Sequence, residues 1–543
     1  MPQTRDGSAL LGPVGTDDTD MVQAALNAGA GRSVHLSAGR YRLTRPLSVP
    51  RDTTVTGDGS GATVLDWSTS ETWTNTPGSA FLEWEPGAIV TTSPLVGDVA
   101  KGQGAVTVAD GSLFAAGDTV RLTSADVDFG EAVRAEFHRV VQVEGNTLVL
   151  SSSTFDAYTA ACAGEVELVD LATGALSGVT IRGKGINPDT TGDNGVFFRF
   201  ARDVRVSDVR FVDVENICTR FSSVLGLTVS DCAFTFAPER ILLQYGVALT
   251  GATQLASIRG CNSWNDRHMV TTSTSGSTSE TWRHMRGIPR HITVTGCTAH
   301  GSWQDPVDTH KGGEYITVTG NALTTEAVGV KCRGTHMVVA GNTITGKTDS
   351  PYNTASAGVR VLERCEDVRV TGNHIQGFKN GVVFEMPPER SRALVVSENT
   401  ITGCDVGVSV STPSTLHDLR VAGNHITVND GGTPIQVYSS LMDVTITGNT
   451  LVGGVEAIKA TVSSRQTMVG GLIQGNTMRE QSSHGMSLRN MTDFLITGNT
   501  ARNIGGDGAR FAGNNTRVYM QSNMLTVGDY STTRDNVHID ALG

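Results

Sequence analysis

One phrase, apolar-x-apolar-x-Gly-Asn, recurs along the chain and constrains its fold more than any other feature. It reads ITVTGN ending at Asn321, MVVAGN at Asn342, VRVTGN at Asn373, LVVSEN at Asn399 and LRVAGN at Asn424. It continues as VTITGN at Asn449, GLIQGN at Asn476, FLITGN at Asn499 and VYMQSN at Asn523. Upstream the same frame carries Lys184, Val209, Cys232, Cys261 and Cys297 in the Asn slot. The fourteen positions span 339 residues in thirteen steps of 21 to 36 residues, a mean of 26. Each unit alternates apolar and polar residues and then turns, and no helical period lies between units, so βα repeats are excluded. Asn tolerates a left-handed turn, and stacked Asn side chains form a hydrogen-bonded ladder. The repeat therefore predicts an all-β, right-handed parallel β-helix with about fourteen recognisable coils. At about 4.8 Å per rung the rod would measure roughly 60 Å. There is no LxxLxL period for a leucine-rich repeat, and a β-sandwich would not hold one register over so many units.

A second strand in each coil follows a small residue, as in GVKCRG (329–334), GVRVLE (358–363), GVVFEM (381–386) and GVSVST (407–412). Alternation points Val330, Cys332, Val359 and Val361 inward and Lys331, Arg333 and Arg360 outward. The N-terminal third differs. TDDTDMVQAALNAG (16–29) predicts a capped amphipathic helix stopped by Gly29, placed to cover an open end of the solenoid. Its Asp17, Asp18 and Asp20 are expected as helix caps rather than a calcium site. The expected organisation is an arm over 1–15, the helix and first coils over 16–82, a small inserted β subdomain over 83–170, and the β-helix over 171–543. The insert is expected to contain a hairpin turning at Glu144-Gly145-Asn146.

Composition agrees with a long stack of small coils: charged residues are 18% and aromatics 6% of 543 residues. The net charge of −12 argues against a general nucleic-acid binder. Eight cysteines without a paired CxxC exclude a disulfide scaffold and a zinc ribbon, and Cys232, Cys261 and Cys297 are expected as small buried spacers. No membrane span and no Sec-type leader are expected.

The segments DDTDMVQAALNAG, VHLSAGRYRLTRPLSVP and VTGDGSGATVL, with the TGN ladder, resemble the pectate-lyase-like superfamily of β-helices. The closest branch is that of phage tailspike and minor tail proteins. The resemblance implies a bacterial surface polysaccharide as ligand, polysaccharide depolymerase activity, a homotrimer, other phage tail proteins as partners and a place in the virion. The alternatives are a non-catalytic receptor-binding or structural tail protein or, outside that branch, a cellular polysaccharide lyase or glycoside hydrolase that is extracellular or at the cell surface by a non-Sec route. The pectinase order of NTD, DD and GHG is absent, and the calcium-dependent lyase pattern is not matched, so no catalytic residue carries over. No cofactor is expected, with calcium the one candidate ion.

Chemistry is expected where His and Trp gather. Residues 259–333 hold His268, His284, His291, His300 and His310, with His336 just beyond, and Trp264, Trp282 and Trp303. The same window contains the longest step, 36 residues from Cys261 to Cys297. Aligning DPVDTHKGG (305–313) with the second strands places Asp308 and His310 outward beside Lys331, Arg333 and Arg360 on neighbouring rungs. The expected catalytic residues are Asp305, Asp308, His310, Lys331 and Arg333. Arg360, Arg267, His268, Trp264, Trp303 and Glu314 are expected to bind substrate. In a uronic-acid lyase, Arg333 and Arg360 would neutralise the substrate carboxylate while His310 or Lys331 takes a proton. In a hydrolase, two carboxylates among Asp305, Asp308, Glu314 and Asp266 would act as acid and as base or nucleophile. Cleavage of a phosphodiester polymer by His310 is a third option.

Overall fold

The computed structural model describes residues 9–539 apart from 12, 14, 71–79, 129–131, 186–193, 241–242, 311, 348–356, 364, 386–391, 412–414, 462–466, 526–529 and 533–536. Most of the arm expected over 1–15 and part of the last segment lie outside the described residues. The fold is all-β, a right-handed parallel β-solenoid. It makes about 18 turns rather than fourteen. The frame count falls short because the first coils have no marked slot. Strand Ser33–Leu36 stacks on Thr53–Gly57 and this on Gly174–Arg182, with Val34, Val55 and Leu176 in one buried column. The chain divides into two compact units, Met1–His300 with Thr309–Glu314, and Gly301–Asp308 with Tyr315–Gly543.

In the first unit the helix Thr19–Ala28 buries Val22, Ala25 and Leu26, and Gly29 caps its C-terminus. A Cβ on Gly29 would stand 2.2 Å from Val34, so the helix stop also sets its close approach to the first strand. The acidic run ties the helix to the coil. Asp17 accepts from the Thr19 backbone N–H at 2.9 Å, and Asp18 accepts from the Arg42 N–H at 3.0 Å.

Between residues 84 and 174 the chain leaves the solenoid and builds a six-stranded antiparallel sheet from Ala88–Pro94, Ala105–Thr107, Thr119–Asp128, Ala132–Glu144, Thr147–Leu150 and Glu165–Asp170. Glu144 pairs with Thr147 across a two-residue turn at Gly145-Asn146, with Gly145 at φ +59°. The sheet has its own core, including Val108, Val120, Leu122, Leu148, Tyr158 and Val166. A second cluster, Ala135, Phe137, Val169 and Leu171 with Ala252, joins it to the coils. In this unit the slot cysteines donate weakly to carbonyls one coil back, Cys232 to Val206, Cys261 to Val229 and Cys297 to Ile258, at 3.7 to 3.9 Å.

In the second unit the slot is a continuous ladder. Each Asn side-chain amide donates to the next Asn Oδ1, from Asn321 through Asn342, Asn373, Asn399, Asn424, Asn449, Asn476 and Asn499 to Asn523, at 2.9 to 3.0 Å. Each Oδ1 also accepts the backbone N–H of the Asn one coil back, as from Asn399 to Asn424 at 3.0 Å. The left-handed turn expected at Asn falls instead on the residue before it, Gly320 (φ +64°), Gly448 (φ +64°) or Glu398 (φ +57°). That placement turns the chain so that the Asn amide lies along the stack. The small residue opening the second strand is also forced. A Cβ on Gly381 would sit 2.5 Å from Ile401 Cγ2 and 2.6 Å from the Gly407 carbonyl.

Candidate functional site

The boundary between the two units runs through the stretch where the sequence gathers its chemistry. Asp305, Asp308, Trp303, Lys331, Arg333 and Arg360 belong to the second unit. His310, His268, Arg267, Trp264 and Glu314 belong to the first.

In the second unit the strand register stacks Asp308 on Lys331 and Lys331 on Arg360, while Val307, Val330 and Val359 form the inward column beside them. Asp308 and Asp305 are nevertheless only 1% and 2% exposed. The loop carrying Asp305 is tied to the next coil, with the Glu326 N–H donating to the Ser302 carbonyl at 2.9 Å and Thr325 donating to it at 3.2 Å. Lys331 donates to Asp305, and its ammonium lies 3.8 Å from Asp308. One ammonium thus faces two buried carboxylates. Burial pushes the Asp305 carboxyl up; the Lys331 charge opposes the shift and Asp308 reinforces it. The cations beyond Lys331 each have a carboxylate. Arg360 binds Glu385, with its Nε at 3.0 Å, and Arg333 lies 3.9 Å from Glu363.

In the first unit His310 and His268 pack edge to face at 5.1 Å, and the Tyr245 ring lies 4.9 Å from His268. His310 Nδ1 is 2.9 Å from the Thr271 hydroxyl, and its backbone N–H donates to Thr272 at 3.2 Å. The Arg267 guanidinium lies over Tyr245 at 5.8 Å. Trp264 is exposed and stacks on His300 at 4.8 Å, between it and Thr235 of the preceding coil. Glu314 is held by a buried arginine: Arg290 donates to it at 2.6 Å, pairs with Asp156 of the insert and lies 3.5 Å from Glu136. That contact makes Glu314 part of the seat of the insert.

A second arginine-rich group was not singled out from the sequence. Arg121 of the insert binds Glu167 at 2.6 Å, both fully buried, and Arg283 binds Glu167, Glu165 and Glu280, each at 2.7 Å. The signal was present in ETWRHMRGIPRH (280–291), where basic and aromatic residues crowd the longest coil.

Residues 284–468, about a third of the chain, match the family described as periplasmic copper-binding protein (NosD). No curated protein sequence matches the chain. Among solved structures, the tailspike protein gp49 from Pseudomonas phage LKA1 is similar with a TM-score of 0.59 and 17% identity, covering 91% of this chain and 77% of that one. The tailspike gp61 of Pseudomonas phage phi297 is similar with a TM-score of 0.51 and 18% identity, covering 84% and 72%. The solenoid therefore shares the β-helix architecture of tailspikes. Among the described residues no helix is long and apolar enough to cross a membrane.

Proposed function

We propose that the chain is a tailspike-like β-helix that binds an extended bacterial surface polysaccharide and cleaves it by hydrolysis. The observation that carries the cleavage is the pair Asp305 and Asp308 beside the Lys331 ammonium. Two carboxylates of opposite protonation are what glycoside hydrolysis requires, one as acid and one as base or nucleophile. Burial and the neighbouring Asp308 push the Asp305 carboxyl up, against the Lys331 and Arg333 charges, which suits Asp305 to the acid role. Asp305 then protonates the leaving oxygen, and Asp308 activates water or attacks the sugar. Hydrolysis is favoured over elimination because Arg333 and Arg360, the cations a lyase would turn to a uronate, face Glu363 and Glu385. The exposed part of Trp264 offers apolar area for a sugar. The similarity to tailspikes supports a homotrimer attached to other tail proteins.

The burial of both aspartates favours a second reading, in which the trio is a structural ion cluster and the solenoid binds glycan without cutting it. Incubation with host capsular or wall polysaccharide separates the two. Hydrolysis predicts new reducing ends without absorbance near 232–235 nm, and their loss in Asp308→Asn at unchanged melting temperature. Intact polymer, bound equally by the parent and Asp308→Asn, leaves the binding-only reading.

A further inference from the structure

The first unit contains a cleft of about 380 Å³ where the insert meets the coils. Ile89 lines it from the edge of the insert, Arg199 and Phe200 from the solenoid strand Asn194–Val212, and Thr281, Arg283 and His284 from the short helical turn Glu280–Met285. The turn is pinned by its backbone. The His284 carbonyl accepts from Ser222 at 3.0 Å and Ser223 at 2.6 Å, and Arg121 donates to the Arg283 carbonyl at 3.1 Å. The walls are therefore built from fixed elements, and the volume falls at the lower end of small-ligand sites, about 300–1,000 Å³.

The charge around this cleft does not close. Five guanidinium groups, Arg121, Arg199, Arg220, Arg283 and Arg286, meet four carboxylates, Glu83, Glu165, Glu167 and Glu280. The surplus sits on Arg199, which lines the cleft, and on Arg220, which does not. Strand register puts Glu83, Phe197 and Arg220 in one column, and both guanidiniums lie against the Phe197 ring, at 5.1 Å and 4.9 Å. Glu83 pairs with Arg199. Among the described residues Arg220 has no carboxylate within 4.0 Å, and its one side-chain hydrogen bond goes to the Met285 sulfur at 3.5 Å. Arg199 and Arg220 each bury an Nε–H without an acceptor. Burial and the neighbouring Arg199 push Arg220 down to about 10, so it remains charged at neutral pH. Burial, with Arg199, Arg220 and Arg121 around it, pushes His284 down to about 3, so it adds no charge. Two desolvated cations that share the one carboxylate of Glu83 are costly, and an anion brought against Arg199 offsets part of that cost.

We propose that this cleft binds an acidic saccharide, its carboxylate seated against Arg199 and its ring against Phe200 and Ile89. A bare oxyanion would use only the cationic side. The apolar wall suits the face of a sugar ring, and Thr281, Glu280 and neutral His284 can exchange hydrogen bonds with its hydroxyls. Neither Asp305 nor Asp308 lines the cleft, and its occupancy does not require that the chain cleave anything.

Calorimetric titration of the full chain at neutral pH with millimolar glucuronic acid, glucose and inorganic phosphate tests the proposal. Glucuronic acid is expected to bind at least tenfold more tightly than glucose or phosphate. Arg199→Gln is expected to lose that binding at least tenfold. Because Arg199→Gln also breaks a pair with Glu83, Thr281→Trp is the second variant: it fills the cleft from an exposed position and should lose binding at an unchanged melting temperature. No binding of glucuronic acid, equal binding of glucose, phosphate as tight as glucuronic acid, or full binding in Thr281→Trp would each overturn the assignment.

Discussion

Replacing Asn424 by Ala tests whether the ladder holds the coils or merely fills them. The Asn424 amide donates to Asn449 Oδ1 and to the Val396 carbonyl, each at 2.9 Å. Its Oδ1 accepts the Asn399 backbone N–H at 3.0 Å and the Asn399 side-chain amide at 2.9 Å. All of this is buried, so water cannot replace it. Asn399 keeps a second side-chain acceptor, the Val370 carbonyl at 2.9 Å, but its backbone N–H is left without one. One orphaned buried donor costs about 1–3 kcal/mol and each of the three other lost bonds about 1 kcal/mol, giving at least about 4 kcal/mol in total. A solenoid of this length need not unfold in one step, so the readout is local. Hydrogen exchange of the peptide carrying the Asn399 amide should accelerate about a thousandfold, the equivalent of that energy at about 1.4 kcal/mol per tenfold. Asn424→Cys should accelerate it less, because in the first unit Cys232, Cys261 and Cys297 each donate to a carbonyl one coil back. Exchange in Asn424→Ala within tenfold of the parent would refute the reasoning, since the ladder would then contribute no more than packing.

Gly381→Ala places a methyl group 2.5 Å from Ile401 and should cost about 1–3 kcal/mol, read as a lower guanidinium midpoint. Arg290→Met leaves Glu314, Asp156 and Glu136 buried without their shared cation; a loss of about 3–5 kcal/mol should expose the insert to limited proteolysis before the coils. His284 supplies a pH signature. Its folded value near 3 lies below the ordinary value of about 6.5, so the unfolded chain takes up the proton first. Its contribution is complete above about pH 6.5 and is lost as pH falls toward 3, and His284→Gln should flatten that part of the stability profile.

The second unit was legible because its slot residue is the same from Asn321 to Asn523 and its bonds are local to adjacent coils. The first coils were not counted because Val34, Val55 and Leu176 stack by shape alone, which leaves no repeated letter. Alternation gives the column of Asp308, Lys331 and Arg360, but it says only which way a side chain leaves the strand. It does not say what covers that column, and Asp308 ends as buried as Val307 beside it. The same limit hid the arginine-rich cleft. Its pairs join residues far apart in sequence, Glu83 to Arg199 and Glu167 to Arg283, and they meet only because the chain leaves the solenoid and returns.

The ladder also makes length a quantised property. Asn399, Asn424 and Asn449 make the same set of bonds at steps of 25 residues, so excising one whole step would let Asn399 meet Asn449 in the geometry it now has with Asn424. A deletion of half a step would instead bury polar groups and expose apolar ones along the entire join. The second unit can therefore lengthen or shorten by complete coils, like links in a chain. The first unit has no such freedom, because the insert grips particular rungs through Arg121 and Arg290.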